Sequence, residues 1–446
     1  MTNITIKKGL NIPIKGAPKQ VIDGRKESAY FAYLGSDFPL LKPSFLKREG
    51  DSIRSGEAIF YDKKNPNVKF ISPFSGTLKN INRGEKRVLL SVVIEKDYSG
   101  KETNYNIGKL DNYTKDEIIE LLIKSGLFIS IKKRPFDSVA NPEENPSSII
   151  INAIDTRPLC PSTKVILDEY NEHFNIGLNV ISKLSQKIFL TIPKNLDINV
   201  AQKNIRKIHF NNLHPAGLVG TQIFYLDPIK KGKLVWYIDY QHVIAIGHLF
   251  TTGRIKKDKI VALSGDEFKS PRLINVPIGA YLGDITKNEL KDKNRTRIIS
   301  GSPLYGHKGD GPLSYLGFYN NQITAIKDVS IRKFMGWALP GTNVYSTTKA
   351  FLSKFLSIKK YSFDTSLKGS HRPIIPIGIY EKVFPFKINA TYFLKYLLVE
   401  DLDSLEKMGV LGLAEEDLSL VTFVCPGKID YAPKLRKVLN TLAKEY

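Results

Sequence analysis

The chain has 446 residues, 42% of them hydrophobic, and its 66 lysines and arginines outnumber its 44 aspartates and glutamates, for a formal net charge of +22. It is too long for a single core, so roughly two to four domains are expected, and too apolar, with both charge signs throughout, for a disordered chain. Its two cysteines, Cys160 and Cys425, form no Cys-x-x-Cys pair, which excludes a four-thiolate zinc site or an iron–sulfur cluster held by this chain alone; both read as free thiols.

Residues 1–16 carry Lys7, Lys8 and Lys15 without the apolar segment of a signal peptide. No later stretch reaches the roughly 18 apolar residues of a membrane span. The expectation is a cytoplasmic chain that is not itself embedded in a membrane. Residues 9–16 read as a short extended segment between two glycines. From 47 to 94, short strands alternate with close turns. The pairs Gly50-Asp51 and Ser55-Gly56 are turn signals, and Ile53, Ile59, Phe60, Phe70 and Ile71 supply a small all-β core.

A Gly-Asp turn, a second glycine, a hairpin and then Pro73-Phe74-Ser75-Gly76-Thr77-Leu78 resemble the biotinyl/lipoyl-carrier barrel, a barrel-sandwich hybrid. A carrier needs a modifiable lysine at its hairpin tip, between methionines. Here the tip is Asp62-Lys63-Lys64-Asn65-Pro66, with no methionine, so the barrel reads as a structural module without a swinging cofactor.

Thr114 and Glu117 form a capping box ahead of Ile118, Ile119, Leu121 and Leu122, and Gly126 closes a helix expected over about 115–125. Residues 127–131 are apolar, and Lys132-Lys133-Arg134-Pro135-Phe136 then brings three cations and an aromatic together. The isoleucines at 149, 150, 151 and 154 predict a buried strand over 149–154. It ends at the polar corner Asp155-Thr156-Arg157-Pro158, and in an open α/β sheet ligands sit at the carboxyl end of such a strand. Helices are expected near 162–172, 178–186 and 198–206, with strands at 187–192 and 207–210 between them. This alternation predicts βαβ units and a Rossmann-like parallel sheet. No Gly-x-Gly-x-x-Gly follows any of these strands. The loop His214-Pro215-Ala216-Gly217-Leu218-Val219-Gly220 can turn tightly but lacks the Lys-Ser/Thr pair that grips a triphosphate.

Residues 235–247 are apolar enough for an inner element. Strands within 260–301 and a short helix suggest a β-grasp (SLBB-like) module. Helical patterns at 349–356, 390–398, 401–408 and 432–444, with a linker at 373–376, indicate a C-terminal helical domain. The expected fold class is α/β multidomain: an N-terminal segment and barrel over 1–100, a Rossmann-like domain over 101–255, the β-grasp module over 256–330 and the helical domain over 331–446.

The seven histidines form no His-x-x-x-His or His-Glu-x-x-His; His242 and His248, taken as lying on one face of a strand, are too far apart to share an ion. No metal site is expected. There is no Gly-x-Ser-x-Gly elbow, and Cys160 sits between two prolines without an evident base, so no catalytic residue is assigned. The pairs Glu143-Glu144 and Glu415-Glu416 read as solvated loop or helix-start residues. Asp155 and Arg157 could hold a ligand, or pair with each other and fix the turn. Tyr30, Phe31 and Tyr33 together with Phe128 and Phe136 could make a flat slot for a ring such as a quinone, or could be core. The charge admits nucleic acid, anionic lipid or an acidic partner surface, or a compositional bias. The basic residues are spread along the whole chain without a nucleic-acid-binding motif.

Several motifs in order carry a resemblance that spans the chain. They are Lys7-Lys8-Gly9-Leu10-Asn11-Ile12-Pro13-Ile14-Lys15-Gly16, Arg134-Pro135-Phe136, Asn152-Ala153-Ile154-Asp155-Thr156-Arg157-Pro158, His214-Pro215-Ala216-Gly217, Leu249-Phe250-Thr251-Thr252-Gly253 and Val424-Cys425-Pro426-Gly427-Lys428. With them the chain resembles the A-subunit family of bacterial sodium-translocating NADH:quinone reductases (Na+-NQR). That family is similar in turn to the flavin- and NADH-binding subunits of the Rnf complex and of respiratory complex I. Those relatives carry a Gly-Gly-x-Gly-Phe-Pro loop over the flavin, where this chain has Ser125-Gly126-Leu127-Phe128-Ile129-Ser130-Ile131. Their acidic Glu-x-Glu-Pro segment is Asp155-Thr156-Arg157-Pro158 here, and their cluster cysteines are reduced to Cys425.

The resemblance implies a peripheral subunit on the cytoplasmic face of the bacterial inner membrane. Its complex oxidises NADH, reduces ubiquinone and exports Na+. NADH, FMN, FAD or riboflavin, an Fe-S centre, ubiquinone and Na+ would be handled through other integral and peripheral subunits, with no cofactor bound by this chain. The quinone-contact candidates are Tyr30, Phe31, Tyr33, Phe128, Arg134 and Phe136, and Asp155, Thr156 and Arg157 read as a vestigial ligand corner. Two rivals stand beside this: a flavin- and NADH-binding electron-input subunit of the Rnf kind, and, from charge alone, a nucleic-acid-binding module.

Overall fold

The computed structural model describes residues 2–98, 100, 102–329, 340–356 and 358–446. The runs of isoleucine pair into a seven-stranded sheet in the order Thr2–Ile4, Ile205–Phe210, Ile188–Pro193, Ile149–Asn152, Val235–Asp239, Lys132–Arg134, Ser138–Val139. The first five strands are mutually parallel and the last two antiparallel. Alternate residues of the central strand point to opposite faces, and both faces are covered. Ile149 and Ile151 pack with the helices Thr163–Glu169, Asn171–Ser182 and Tyr240–Thr252, whereas Ile150 packs with Phe189, Ala216 and Ile223 of the opposite layer. A strand buried on both sides has no polar alternation, which is why this one reads as a continuous apolar run.

The barrel is two small antiparallel sheets, one of Tyr30–Leu34, Leu89–Lys96, Gly76–Arg83 and Ser52–Ile53, the other of Pro43–Phe45, Ala58–Asp62 and Asn65–Ile71. Phe60 stacks on Phe70 at 4.3 Å and Tyr33 meets Phe70 edge-on at 5.5 Å, so aromatic rings fill the core. Lys63 and Lys64 stand exposed at the hairpin tip. The β-grasp sheet has the order Gly306–Lys308, Thr296–Gly301, Gln322–Lys327, Asp258–Ser264, Arg272–Pro277, Lys19–Arg25. The N-terminal stretch therefore links modules: Thr2–Ile4 edges the α/β sheet and Lys19–Arg25 edges the β-grasp sheet. The C-terminal helices Ile379–Val383, Ala390–Val399, Leu402–Lys407, Ser419–Val424 and Ala432–Leu442 enclose a separate core around Tyr380, Phe393, Leu397 and Leu439.

Several expected elements differ. Residues 198–206 form no helix: Asp197 and Asn204 spend their side chains on Ile198 N, Ser182 O and Ser185 O, and the strand begins at Ile205. Such local side-chain bonds compete with the helix ladder. The helix placed at 178–186 runs instead over Asn171–Ser182. Residues 235–247 are not one inner element. Asp239 caps Gln241 N at 2.9 Å and divides the strand Val235–Asp239 from the helix Tyr240–Thr252, so His242 and His248 lie on a helix rather than a strand. At 349–356 only a short 3-10 turn, Leu352–Phe355, is present. Glu415 and Glu416 are not solvated; their side chains are 13% and 21% exposed and ion-paired.

Candidate functional site

The Ile149–Asn152 strand delivers the chain to the corner at 155–158, and the loop after Ile205–Phe210 closes over it. Thr156 Oγ1 accepts from Gly217 N at 2.9 Å, and Asn152 Nδ2 donates to Gly217 O at 3.0 Å. Gly217 is demanded by this approach, because a Cβ there would lie 2.5 Å from Thr156 N. Behind it, Gln222 Nε2 donates to Asn152 Oδ1 at 2.8 Å and Thr191 Oγ1 donates to Gln222 Oε1 at 2.9 Å, so these three buried side chains satisfy one another.

Arg157 bonds its neighbour, as one of the two readings held, with Nη1 to Asp155 Oδ2 at 3.1 Å. Its larger engagement is with the C-terminal domain: Nε to Glu416 Oε1 at 2.5 Å and Nη2 to Glu416 Oε2 at 2.8 Å. This planar two-bond pair is the strongest geometry available to a guanidinium. Burial works against the cation, but Glu416 and then Asp155 outweigh it and raise the Arg157 pKa well above its ordinary value. His214, 3.3 Å from Thr156 Oγ1, is pushed down to about 3 by burial and then by the Arg157 charge, so it is neutral here.

Asp417 completes the closure. A Cβ at Gly220 would fall 2.1 Å from Asp417 Oδ2, so the carboxylate lies directly against the first turn of the helix Val219–Leu226. It accepts from Ala414 N at 2.8 Å and faces Arg134 Nη2 at 3.5 Å. Burial pushes its pKa up to about 7, with Arg134 pulling the other way. A helix start that follows a parallel strand is a ready anion site. In this chain that place is taken by its own Asp417 carboxyl, carried on the 3-10 turn Glu415–Leu418.

The second closure lies at residues 125–131. Leu127, Phe128, Ile129 and Ile131 are all buried, Phe128 meets the Trp236 ring edge-on at 6.1 Å, and a Cβ at Gly126 would lie 2.8 Å from Ile71 Cβ of the barrel. A flavin needs its phosphate and ring to approach bare backbone, and a loop packed into the core against the neighbouring domain does not fit that group.

Phe31 and Tyr33 are barrel core, 4.8 Å apart, and Tyr30 lies at its edge against Tyr281. Arg134 is buried, paired with Asp137 and Asp417, with its guanidinium 5.3 Å over the Tyr237 ring. The neighbouring cations are paired too, Lys132 with Asp137 at 2.7 Å and Lys133 with Glu144 at 2.5 Å. Phe136 differs from the other candidates: it lines an open cavity of about 370 Å3, with Phe38, Leu41, Val68 and Phe70 of the barrel and Tyr446 at the C-terminus. Phe38 and Phe70 in turn touch Tyr33 at 6.0 and 5.5 Å, so the two aromatic stretches approach each other through these rings.

Cys160 donates to Asp155 O at 3.4 Å and burial raises its pKa well above the ordinary range, which fits no nucleophile. Cys425 is buried, 3.2 Å from Tyr380 Oη. His242 stacks on Phe318 at 4.9 Å and His248 lies 5.0 Å from His173. Among the described residues no cluster of three or more histidines, cysteines, aspartates or glutamates could hold a metal ion, and no helix is long and apolar enough to cross a membrane. Glu416, expected from the sequence to be solvated, and Asp417, which no sequence pattern singled out, are the residues that close the corner. A faint signal was present in the small residues Gly217 and Gly220, which mark a backbone that something approaches closely.

Three family models match the chain: the NqrA N-terminal barrel-sandwich hybrid domain over residues 4–97, the NqrA second alpha/beta domain over 113–255 and the NQRA C-terminal domain over 260–310. The chain is 45% identical over 445 residues to the A subunit of the Na(+)-translocating NADH-quinone reductase of Mannheimia succiniciproducens, covering 99% of this chain and 100% of the relative. It is 43% identical to the corresponding subunits of Pasteurella multocida and Haemophilus influenzae, over 448 and 447 residues, at the same coverage. A chain of an NAD+-reducing [NiFe]-hydrogenase is similar at a TM-score of 0.40 and 11% identity, over 77% of this chain and 66% of its own, which says nothing about function. Full-length identity at this level, with a matching model on the barrel, the α/β sheet and the β-grasp sheet, shows that this chain belongs to the A-subunit family of Na(+)-translocating NADH-quinone reductases.

Proposed function

We propose that the chain is the peripheral A subunit of a complex that couples NADH oxidation and quinone reduction to Na+ translocation. In this reading it sits on the cytoplasmic face of the inner membrane and holds no redox centre of its own. Flavins, the Fe-S centre and the ion path belong to partner subunits, integral and peripheral. The observation that carries this is the filled ligand corner. Glu416 and Asp417 stand at the helix start and at Arg157, and the buried residues 127–131 occupy the flavin approach, so the frame of an electron-input domain serves as scaffold. That arrangement disfavours the Rnf-like alternative, in which this chain would bind flavin and NADH.

Within that role the chain contacts ubiquinone at the cavity lined by Phe136 and Phe38, which has the volume for a substituted ring, an apolar wall on the Phe38, Val68 and Phe70 side, and polar groups such as Asp62, Lys133 and Glu144 on the rest of its lining. Tyr33 backs this wall through its ring contacts with Phe38 and Phe70, with Phe31 packed behind it, and Arg134 fixes the Asp137 loop beside it, whereas Tyr30 packs on Tyr281 and Phe128 on Trp236. The test is co-purification from detergent-solubilised membranes with integral subunits showing NADH:quinone activity, followed by a photoreactive ubiquinone. Labelling around Phe136 and Phe38 is expected. Labelling of neither aromatic stretch removes the quinone contact, and a yellow purified chain whose melting temperature rises with NADH removes the scaffold reading.

A further inference from the structure

A second opening, far from the corner in sequence, has a different character. A cleft of about 590 Å3 lies between the N-terminal residues Leu10 and Pro13 and the C-terminal region, with Lys349, Lys354 and Lys382 on its walls beside Ser346 and Ile379. Ser346 and Thr348 hydroxyls lie 3.0 Å apart within it. Residues 340–363 contain four lysines, 349, 354, 359 and 360, and no aspartate or glutamate. Among the described residues none of these lysines, nor Lys382, forms an ion pair. That contrasts with the corner, where every cation is matched.

Large apolar side chains are exposed at and beside the same cleft, Ile377 and Leu356 on its lining and Leu352 and Phe355 next in the chain to its residues Ser353 and Lys354. Phe355 is 74% exposed, Ile377 53%, and Leu352 and Leu356 each 48%. The Leu352–Phe355 turn holds these groups out instead of folding them in, and Lys354 Nζ stands 4.6 Å over the Phe355 ring. A patch of this kind marks an interaction surface. Aliphatic and aromatic tips ringed by unpaired lysines match a bilayer surface: the tips enter the headgroup boundary and the ammonium groups meet lipid phosphates. Nucleic acid would use the lysines but leave the leucine and isoleucine tips without a partner.

We propose that residues 345–356, with Ile377 and Lys382, dock the chain onto a bilayer containing anionic phospholipid, a headgroup phosphate entering the cleft at Lys349, Lys354 and Lys382. This goes beyond attachment through partner subunits. The isolated chain can fail to bind lipid while still co-purifying with integral subunits, so the two readings fail separately.

The test is flotation of the full chain with vesicles of phosphatidylcholine alone, or with about 30% phosphatidylglycerol. Binding to the anionic vesicles, weakened by salt, is expected, with little to the neutral ones. The double variant Phe355→Ser, Leu352→Ser leaves the charge unchanged and is expected to lower binding about tenfold. Lys349→Glu with Lys354→Glu is expected to abolish it. Lys63→Glu with Lys64→Glu at the barrel hairpin makes the same charge change elsewhere and is expected to retain binding. All six residues are exposed, so an unchanged melting temperature confirms folding in each variant. The proposal is overturned if the serine variant binds like the parent, or if the Lys63 and Lys64 changes cost as much as those at Lys349 and Lys354, which would reduce the effect to net charge.

Discussion

Arg157 and Glu416 are 259 residues apart and meet in two parallel hydrogen bonds of 2.5 and 2.8 Å, which tie the ligand corner of the α/β sheet to the C-terminal helical domain. The same guanidinium also holds Asp155 at 3.1 Å, so one cation serves two carboxylates. Side-chain exposures of 25% and 21% place the Arg157–Glu416 pair between a screened surface bridge and a buried one. A double-mutant cycle of Arg157→Ala and Glu416→Ala on thermal unfolding is expected to give a coupling of about 1–2 kcal/mol. Additive losses would mean that the two side chains merely lie side by side.

Gly220 makes a sharper test of the Asp417 contact. Gly220→Ala favours the helix by propensity but drives a methyl into the carboxylate 2.1 Å away, so a net loss of about 1–3 kcal/mol is expected. Asp417→Ala costs stability alone, because Arg134 and Ala414 N lose a partner. In the Gly220→Ala background it also relieves the clash, so the double variant should be more stable than the sum of the singles. A melting temperature equal to that sum would show that the carboxylate does not rest on the helix start.

How far these features were legible follows from where their causes lie. The strand around Ile150 was readable because burial on both faces leaves a local trace, an unbroken apolar run. The corner after it was readable from the abrupt change to Asp155-Thr156-Arg157. What fills the corner was not, since Glu416 and Asp417 lie over 250 residues away and a Glu-Glu-Asp run looks the same in solvent as in an ion pair. Residues 235–247 misled for the opposite reason. The run is apolar throughout, so periodicity could not separate strand from helix, and Asp239, a ready N-cap, was the overlooked signal. The edge strand Thr2–Ile4 is three residues long and owes its conformation to Ile208–Phe210, so no local pattern announces it.

The barrel carries its own prediction. Its hairpin turn exposes Lys63 and Lys64 as a carrier would expose its modified lysine, but without flanking methionines. The purified chain is expected to have the intact mass of its 50.3 kDa sequence, with both lysines unmodified, and Lys63→Arg is expected to leave the activity of the assembled complex unchanged. A mass excess localised to this peptide would make the barrel a carrier after all.

Two buried carboxylates should give opposite pH dependences, because different causes dominate each. For Asp417 the largest cause is burial, which lifts its pKa from 3.8 to about 7 despite Arg134. The folded chain therefore binds that proton more tightly than the unfolded chain does, and stability declines as pH rises from about 4 to about 7, then levels off. For Glu289 the largest cause is the hydrogen bond from Arg272, at 2.9 Å, with Lys26 adding to it, and the pKa falls from 4.5 to about 2. Its contribution is fully present above about 4.5 and is lost as pH falls toward 2. Melting temperatures across this range check both signs. Asp417→Asn is expected to gain on the parent as pH rises to 7, and Glu289→Gln to be most damaging above pH 4.5 and to converge with the parent in acid. Parallel curves for Asp417→Asn and the parent would show that the carboxylate is solvated and that the C-terminal domain does not close over the helix start.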